Sequence, residues 1–371
     1  MTLTPRSLEV REWTVPEWQA GEAQWNALLA NSGLDPLFLS WQWMHTWWRF
    51  FAPVSANCAC ILAAYRGTEL VGIAPLYRLR ARRSSMPVRS LQFIGISWRD
   101  PEGMISEYLD FITTPAEREQ VRTEFLRYLV AQGGWSELVV SFTSAESQWI
   151  RAFTENRETQ TCYWRVVERA TSYQADLRLG FPWYLANLGQ STRRSLWNLR
   201  RRVGAPDSVR LEQVTGAAID EAFADLNRLH VLRWGLVAFS GNRLRFHLAL
   251  ARELVQRGEL RMTRLRVGEQ VVSVLYDIAK GARQYNIKMA FDPAAERGFS
   301  LGLIHFGFAL EAAAERGVLL YDFLAGRGQR TDYKSHLGQL RDELATVQLL
   351  KGPFLQRLYR WYDSRKHKAC A

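Results

Sequence analysis

The chain has 371 residues, 47% of them hydrophobic, and 48 Lys and Arg against 37 Asp and Glu give it a formal net charge of +11. This length predicts two domains with full-sized cores, and no run is long and apolar enough to span a bilayer. Four scattered cysteines, Cys58, Cys60, Cys162 and Cys370, form neither a zinc pattern nor a disulfide framework. The opening stretch, MTLTPRSLEVREWTVPEW, lacks the apolar segment of a signal peptide. Together these features predict a cytoplasmic protein. The basic balance favours polyanionic partners: a nucleotide cofactor, a tRNA or an anionic lipid face.

In chain order, WQWMHTWW (41–48) sets Trp41, His45 and Trp48 at helical spacing, a stripe better read as core than as a sugar platform. CACILAAY (58–65) reads as a strand, Gly67-Thr68-Glu69 as a turn and LVGIAPLYRL (70–79) as the returning strand. Short strands follow near 91–95 and 108–112, then a helix near 115–132 and a strand ELVVSF (137–142). Residues 183–214 centre on a basic helix with Arg193, Arg194, Arg200, Arg201 and Arg202. No acid lies among these arginines, which suits either a solvated face or a bound anion. ELRMTRLRV (259–267), a Gly268-Glu269 turn and VVSVLYDIA (271–279) form a second hairpin. RQYNIKMAF (283–291) alternates, with Gln284, Asn286 and Lys288 on one side. A helix over 301–316, a strand VLLYDFLAG (318–326) and a last strand ELATVQLL (343–350) complete the chain. The class is α/β or α+β. RGTELVGIAPLY (66–77) lies against RVGEQVVSVLY (266–276) with a one-residue slip, as in a tandem duplication with domains over 1–180 and 181–371.

The stretch Arg297-Gly298-Phe299-Ser300-Leu301-Gly302 opens the helix at 301. Helix starts expose unpaired N–H groups and the positive end of the macrodipole, so small residues there admit an anion close to the backbone. The same residues also read as an ordinary helix start with Ser300 as N-cap. Asp322, at the end of an apolar strand, is a candidate base or acceptor anchor; pairing with Arg327 or capping the next turn accounts for it equally. Tyr333 is a candidate proton donor to a leaving group, and Lys334 a candidate ligand for a phosphate or an oxyanion. His230 reads more readily as a satisfied helix residue than as a base. No Gly-x-Ser-x-Gly elbow, Walker loop or His-Glu-x-x-His helix is present, and no metal is expected.

The order of hairpin, strand, Arg-x-x-Ser-x-Gly, helix and strand resembles the cofactor core of the GNAT acyltransferases. There an (Arg/Gln)-x-x-Gly-x-(Gly/Ala) loop holds the pyrophosphate of acyl-coenzyme A. Arg297, Ser300 and Gly302 fall at those positions, with Ser300 replacing the first glycine. PLFLSWQWMHTWW, LHVLRW (229–234), FDPAAERGFSLG (291–302) and YDFLAGRGQRTDYKSHLG (321–338) resemble the bacterial acetyltransferase family that includes the CelD-like cellulose-biosynthesis proteins. The basic helix and the late Tyr-Lys pair are similar to those of the Fem aminoacyltransferases, which carry two GNAT-like domains.

The resemblance implies two tandem GNAT-like domains, each a mixed twisted sheet flanked by helices. It implies acyl transfer from acetyl-CoA or another acyl-CoA to an amine or hydroxyl of a sugar or cell-envelope precursor. Residues 297–302 would bind the cofactor, and Arg193, Arg194, His230 and Trp234 the acceptor. Backbone N–H groups of the 283–291 strand would serve the acyl carbonyl, with Asp322, Tyr333 and Lys334 in the chemistry. A Fem-like donor would be an aminoacyl-tRNA. A non-catalytic scaffold would use its basic face, including RLYRWYDSRKHKACA (357–371), on nucleic acid or in peripheral contact with an anionic membrane.

Overall fold

The computed structural model describes residues 8–52, 59–83, 86–202, 209–295, 299–326 and 332–369. The chain divides into two compact units, Met1–Ala170 with Leu344–Ala371, and Thr171–Glu343.

The first unit runs β1 (Leu8–Trp13), α1 (Val15–Ala20), α2 (Glu22–Ala30), α3 (Trp41–Phe51), β2 (Ala59–Arg66), β3 (Glu69–Arg83), β4 (Met86–Phe93), β5 (Ile112–Thr113), α4 (Arg118–Gln132), β6 (Glu137–Thr143), α5 (Glu146–Glu155) and the start of β7 (Tyr163–Asp176). A reciprocal capping box starts α1: Thr14 Oγ1 accepts from Glu17 N, and Glu17 Oε2 accepts from Thr14 N at 2.7 Å, an arrangement worth about 1 kcal/mol. Trp43, Met44 and Trp47 of α3 are buried with Trp18 and Trp25; of the expected stripe Trp41 is buried, while His45 and Trp48 are half-buried and pack on Trp18. The strands order β1-β2-β3-β4-β6, with β5 on β3. All pairs are antiparallel except β4 with β6, where Ser90–Gln92 run beside Glu137–Val139.

The second unit continues with α6 (Gly180–Ala186), α7 (Gln190–Leu196), β8 (Val209–Gln213), α8 (Ile219–Trp234), α9 (Gly241–Gln256), β9 (Leu260–Val267), β10 (Gln270–Lys280), β11 (Arg283–Phe291), α10 (Leu301–Glu315), β12 (Leu320–Asp322) and α11 (Asp332–Leu337). Its strands order β7-β12-β11-β10-β9-β8, and only β11 with β12 is parallel. The two faces of β10 are covered by different helices. On one, His305 of α10 sits between Thr263 Oγ1 at 2.9 Å and Ser273 Oγ at 2.8 Å. On the other, Phe223 of α8 and His247 of α9 pack against Tyr276 at ring distances of 5.1 and 5.4 Å. Ser273 and Tyr276 are three residues apart, so a strand presents them to opposite faces.

The chain returns to the first unit in β13 (Leu340–Leu350) and α12 (Pro353–Ala369). Ala345–Leu350 pair with β6, and Asp363 of α12 pairs with Arg165 at 2.5 Å and accepts from Tyr163 Oη at 2.9 Å. Residues 344–371 therefore pack with the first unit, although they lie in sequence beyond the expected boundary at 180/181. Among the described residues no helix is long and apolar enough to cross a membrane.

Three local expectations change. The basic segment is not one helix: α7 stops at Leu196 and a 3-10 turn covers Asn198–Arg202. The Leu196 carbonyl approaches α10 so closely that a side chain at Gly307 would lie 2.4 Å from it, and Trp197 leaves helical geometry there. The strand expected over 318–326 shrinks to Leu320–Asp322, because Leu324 adopts a left-handed φ of 57°. The alternation of β11 breaks at a bulge. Tyr276 pairs with Lys288 and Asp277 with Asn286, leaving Ile287 without a partner on β10. Lys288 consequently sits on the Tyr276 face, and Asn286 on the Asp277 face.

Candidate active site

The features that converge in the second unit start from the parallel pair β11–β12. Their register covers only Arg283–Tyr285 against Leu320–Asp322. Beyond it β11 runs on for six residues with the bulge at Ile287, while β12 ends. One edge of β11 therefore loses its neighbour where the bulge redirects the backbone.

Helix α10 begins beside this opening. Ser300 caps it in extended geometry, its Oγ accepting from Leu303 N at 3.5 Å, and the first turn holds no acidic residue. The positive end of the helix dipole, with no acid beside it, suits an anion there. Leu301 is fully buried, and Phe299 packs partly buried in the same cluster, so their side chains serve the core and only their backbone is available to a ligand. Gly302 is small for the same reason: a Cβ there would lie 2.8 Å from Phe291 and 2.9 Å from Met289. Its bareness lets α10 approach β11. Arg297 and Gly298 of the expected cradle lie outside the described residues.

Asp322 is fully buried and well supplied with donors. Its carboxylate accepts from Ser172 Oγ at 2.8 Å, Leu324 N at 2.7 Å and Gln174 Nε2 at 3.4 Å. Lys334 is buried and donates to the carbonyls of Leu324 at 2.7 Å and Ala325 at 3.3 Å. The two side chains grip the left-handed Leu324 from its N–H and its C=O, which holds a conformation that a branched residue rarely adopts. Tyr333 is 36% exposed, and its ring stacks 6.3 Å from Phe306 of α10. Desolvation raises its phenol above the ordinary value, against the opposing charge of Arg233. The phenol is therefore kept in its proton-carrying form.

His230 is buried at the end of α8, with Nδ1 2.6 Å from the Leu236 carbonyl, and burial lowers its pKa. It ties down the loop after α8. Trp234 is exposed at 43%, and Arg233 lies over the Phe291 ring at 4.1 Å. Phe291 in turn approaches Gly302, which carries the chain of contacts from α8 to the start of α10. Arg193 and Arg194 lie on α7, half-buried and exposed, on a helix that packs against the middle of α10 rather than its start. Asp322 and Lys334 thus meet at Leu324, Tyr333 stacks on Phe306 of α10, and Arg193 and Arg194 lie on α7, which packs at Gly307. Nothing in the local sequence marks the bulge at Ile287 and Lys288 or the left-handed Leu324. A one-residue bulge leaves no compositional mark.

Comparisons with known proteins bear on the fold. Residues 190–335 match the acetyltransferase (GNAT) domain. That span covers α7 to α11, the strand opening and the α10 start. The chain resembles the crystal structure of FemX at a TM-score of 0.62 and 11% identity, covering 94% of this chain and 99% of that one. It resembles a conserved protein of unknown function from Bacteroides thetaiotaomicron at 0.56 and 12%, covering 93% and 100%. It also resembles a tandem GNAT protein from the clavulanic acid biosynthesis pathway at 0.51 and 14%, covering 94% and 99%. At these identities the likenesses establish the fold: tandem GNAT-like units in mixed α/β form. No curated protein is significantly similar in sequence.

Among the described residues no group of three His, Cys, Asp or Glu is placed to hold a metal ion. A groove of about 920 Å³ lies in the first unit, lined by Arg11, Trp13, Glu17, Tyr65 and Glu117 among others. Two of its ion pairs are internal to the unit: Arg11 pairs with Glu17 and Glu117 with Arg66, both at 2.6 Å.

Proposed function

We propose that the protein is an acyl-CoA-dependent acyltransferase acting through its second unit on an amine or hydroxyl acceptor. The observation that carries this reading is the opening between β11 and β12, bulged at Ile287, beside a helix start free of acids. The backbone N–H groups from Phe299 to Gly302 suit the pyrophosphate. The unpaired edge of β11 suits the acyl carbonyl, whose oxygen gains charge as the nucleophile attacks. Tyr333 is the proton donor to the departing sulfur, and the proton that the acceptor loses on attack passes through solvent and restores the phenol. Asp322 and Lys334 act as positioning residues, since their polar atoms are engaged in holding Leu324. His230 shapes the wall beneath Trp234, and an acceptor lies against that wall. The CelD-like segments at 291–302 and 321–338 support an acceptor on a sugar or cell-envelope precursor.

The likeness to FemX supports a second reading, in which the acyl group arrives on a tRNA and the arginines of 193–202 contact its phosphates. Thermal shift with acetyl-CoA, longer acyl-CoA species and aminoacyl-tRNA separates the two. Saturable stabilisation by acyl-CoA that survives 200 mM salt supports the first. Binding of tRNA that collapses steeply over that range, with no response to acyl-CoA, sinks it.

A further inference from the structure

Several interior cations of the second unit are matched to carboxylates, and Lys334 is held by two carbonyls. Lys280 donates to Glu259 at 2.7 and 2.9 Å. Arg264 is surrounded by Glu212, Glu221 and Asp225. Lys288 is half-buried on the central strand β11 and makes no hydrogen bond or ion pair with any described residue. Burial lowers its pKa, and the charge acting on it is another cation, Arg243 in the first turn of α9. Its own charge reaches His230 of α8 and His247 of α9, lowering both. Lys288 therefore faces the α8–α9 side of the sheet, directly after the bulge that opens the β11 edge. Beside that side stand the exposed Trp234, Leu236 and Val237.

A half-buried ammonium with no carboxylate partner among the described residues, and a second cation acting on it, is a favourable place for an anion. We propose that Lys288, with Arg243 beside it, binds an anionic group, a carboxylate or a phosphate, carried by the acceptor. The word acceptor rests on the acyl-transfer reading above; the anion site itself does not. The neighbouring Trp234 and Leu236 receive the apolar part of the same molecule. Lys288 thus sets specificity: neutral acceptors of the same size are poor ligands.

The test uses the full chain, with coenzyme A saturating so that the α10 start is already filled. Sodium phosphate and sodium acetate are titrated against sodium chloride at matched ionic strength, with the melting temperature as readout. The parent is expected to gain roughly 2 °C from one of the two anions beyond the chloride control, and the stronger anion identifies the class. Lys288→Met is expected to melt higher than the parent without anion and to lose the anion-specific rise. Lys288→Gln repeats the test with a polar stem, and Lys288→Arg is expected to keep the rise. A parent without an anion-specific rise, or a Lys288→Met protein that rises like the parent, overturns the site. Coenzyme A reports separately: a parent that it does not stabilise refutes the acyl-CoA reading, while the difference between parent and variant still decides Lys288.

Discussion

Each unit carries a left-handed residue near the end of the strand that pairs in parallel: Phe142 with φ 46° in the first, Leu324 with φ 57° in the second. What meets the carbonyl of that residue differs. In the first unit the Phe142 carbonyl accepts from the backbone of Tyr108 at 2.7 Å, and the buried Tyr108, Leu109 and Phe111 fill the space beside it. In the second unit the Leu324 carbonyl accepts from a side chain, Lys334 Nζ, and β11 has no backbone partner on the β12 side beyond Tyr285 among the described residues. The helices that precede these strands differ in the same sense. Helix α4 has Glu117 at its cap and Glu119 in its first turn, whereas α10 starts with Ser300 and no acid. One architecture has been closed with its own main chain and charged against anions. The other has been kept open by side chains.

The sharpest way to break this contrast is to remove chemistry from the open unit alone. Tyr333→Phe keeps the ring on Phe306 and removes only the hydroxyl. Turnover is expected to fall about 10²–10⁴-fold with acyl-CoA affinity retained. Steady-state kinetics with any confirmed acceptor checks this. Parent-like turnover would move the proton donor elsewhere, and Tyr333 would then be a packing residue.

Acid should also separate the units. The second unit buries His247 and His305, each held by burial at a pKa of about 3. Unfolded histidine titrates near 6.5, so between about pH 6.5 and 3 the unfolded chain binds protons that the native unit refuses. Stability is then fully present above pH 6.5 and falls with pH at up to about 1.4 kcal/mol per unit for each histidine. Asp277 acts in the opposite sense. Burial raises its carboxyl to about 6, against the hydrogen bonds from Asn286, Tyr321 and Gln284. Its penalty is complete above pH 6 and is relieved as pH falls toward 4, which offsets one histidine over that window. The net loss from pH 6.5 to 4.5 is about 3 kcal/mol. The first unit's His45 stacks 4.1 Å from Trp41 and is only half-buried, so burial lowers it less completely. Hydrogen exchange followed by unit is expected to show the second losing protection first. Equal loss in both units would mean that its buried histidines do not set its acid response.

A charge placed at the start of α10 converts it toward α4. Ser300→Asp keeps an N-cap acceptor for Leu303 N and should leave the fold intact. The added carboxylate faces the position assigned to the pyrophosphate, and acyl-CoA affinity is expected to fall about tenfold, or about 1.4 kcal/mol. Calorimetry with acetyl-CoA reads this directly. Undiminished affinity would place the pyrophosphate away from the helix start.

Much of this contrast was legible in the sequence. The hairpins at 66–77 and 266–276 displayed their likeness through turn glycines and Leu-Tyr endings, because hairpin turns and strand periods are local properties. The helix start at Ser300 was legible for the same reason. The contacts of Asp322 and Lys334 with Leu324 were not, since they depend on Leu324 taking a left-handed conformation that no local rule assigns to leucine. The side of Lys288 was misread because a single bulge reverses every later residue of a strand. Composition does not show the break that follows Arg193 and Arg194. Five arginines in ten residues look like one functional face until the helix breaks at Trp197.

The smallest expected effect comes from the reverse exchange in the closed unit. Glu117→Gln with Glu119→Gln removes both carboxylates from the start of α4. Glu117 pairs with Arg66 at a partly exposed site, and Glu119 pairs with Arg151 at the surface. Exposed pairs contribute about 0–1 kcal/mol each, so the melting temperature should drop slightly or not at all. Were helix-start charge the whole difference between the units, this variant would gain a second acyl-CoA site. It is expected to gain none, because the space beside β4 is already occupied by Tyr108, Leu109 and Phe111 and an anion has nowhere to lead its acyl chain. Calorimetric stoichiometry should therefore remain one acyl-CoA per chain. A value approaching two would show that charge alone distinguishes the units and that the main-chain plug is incidental.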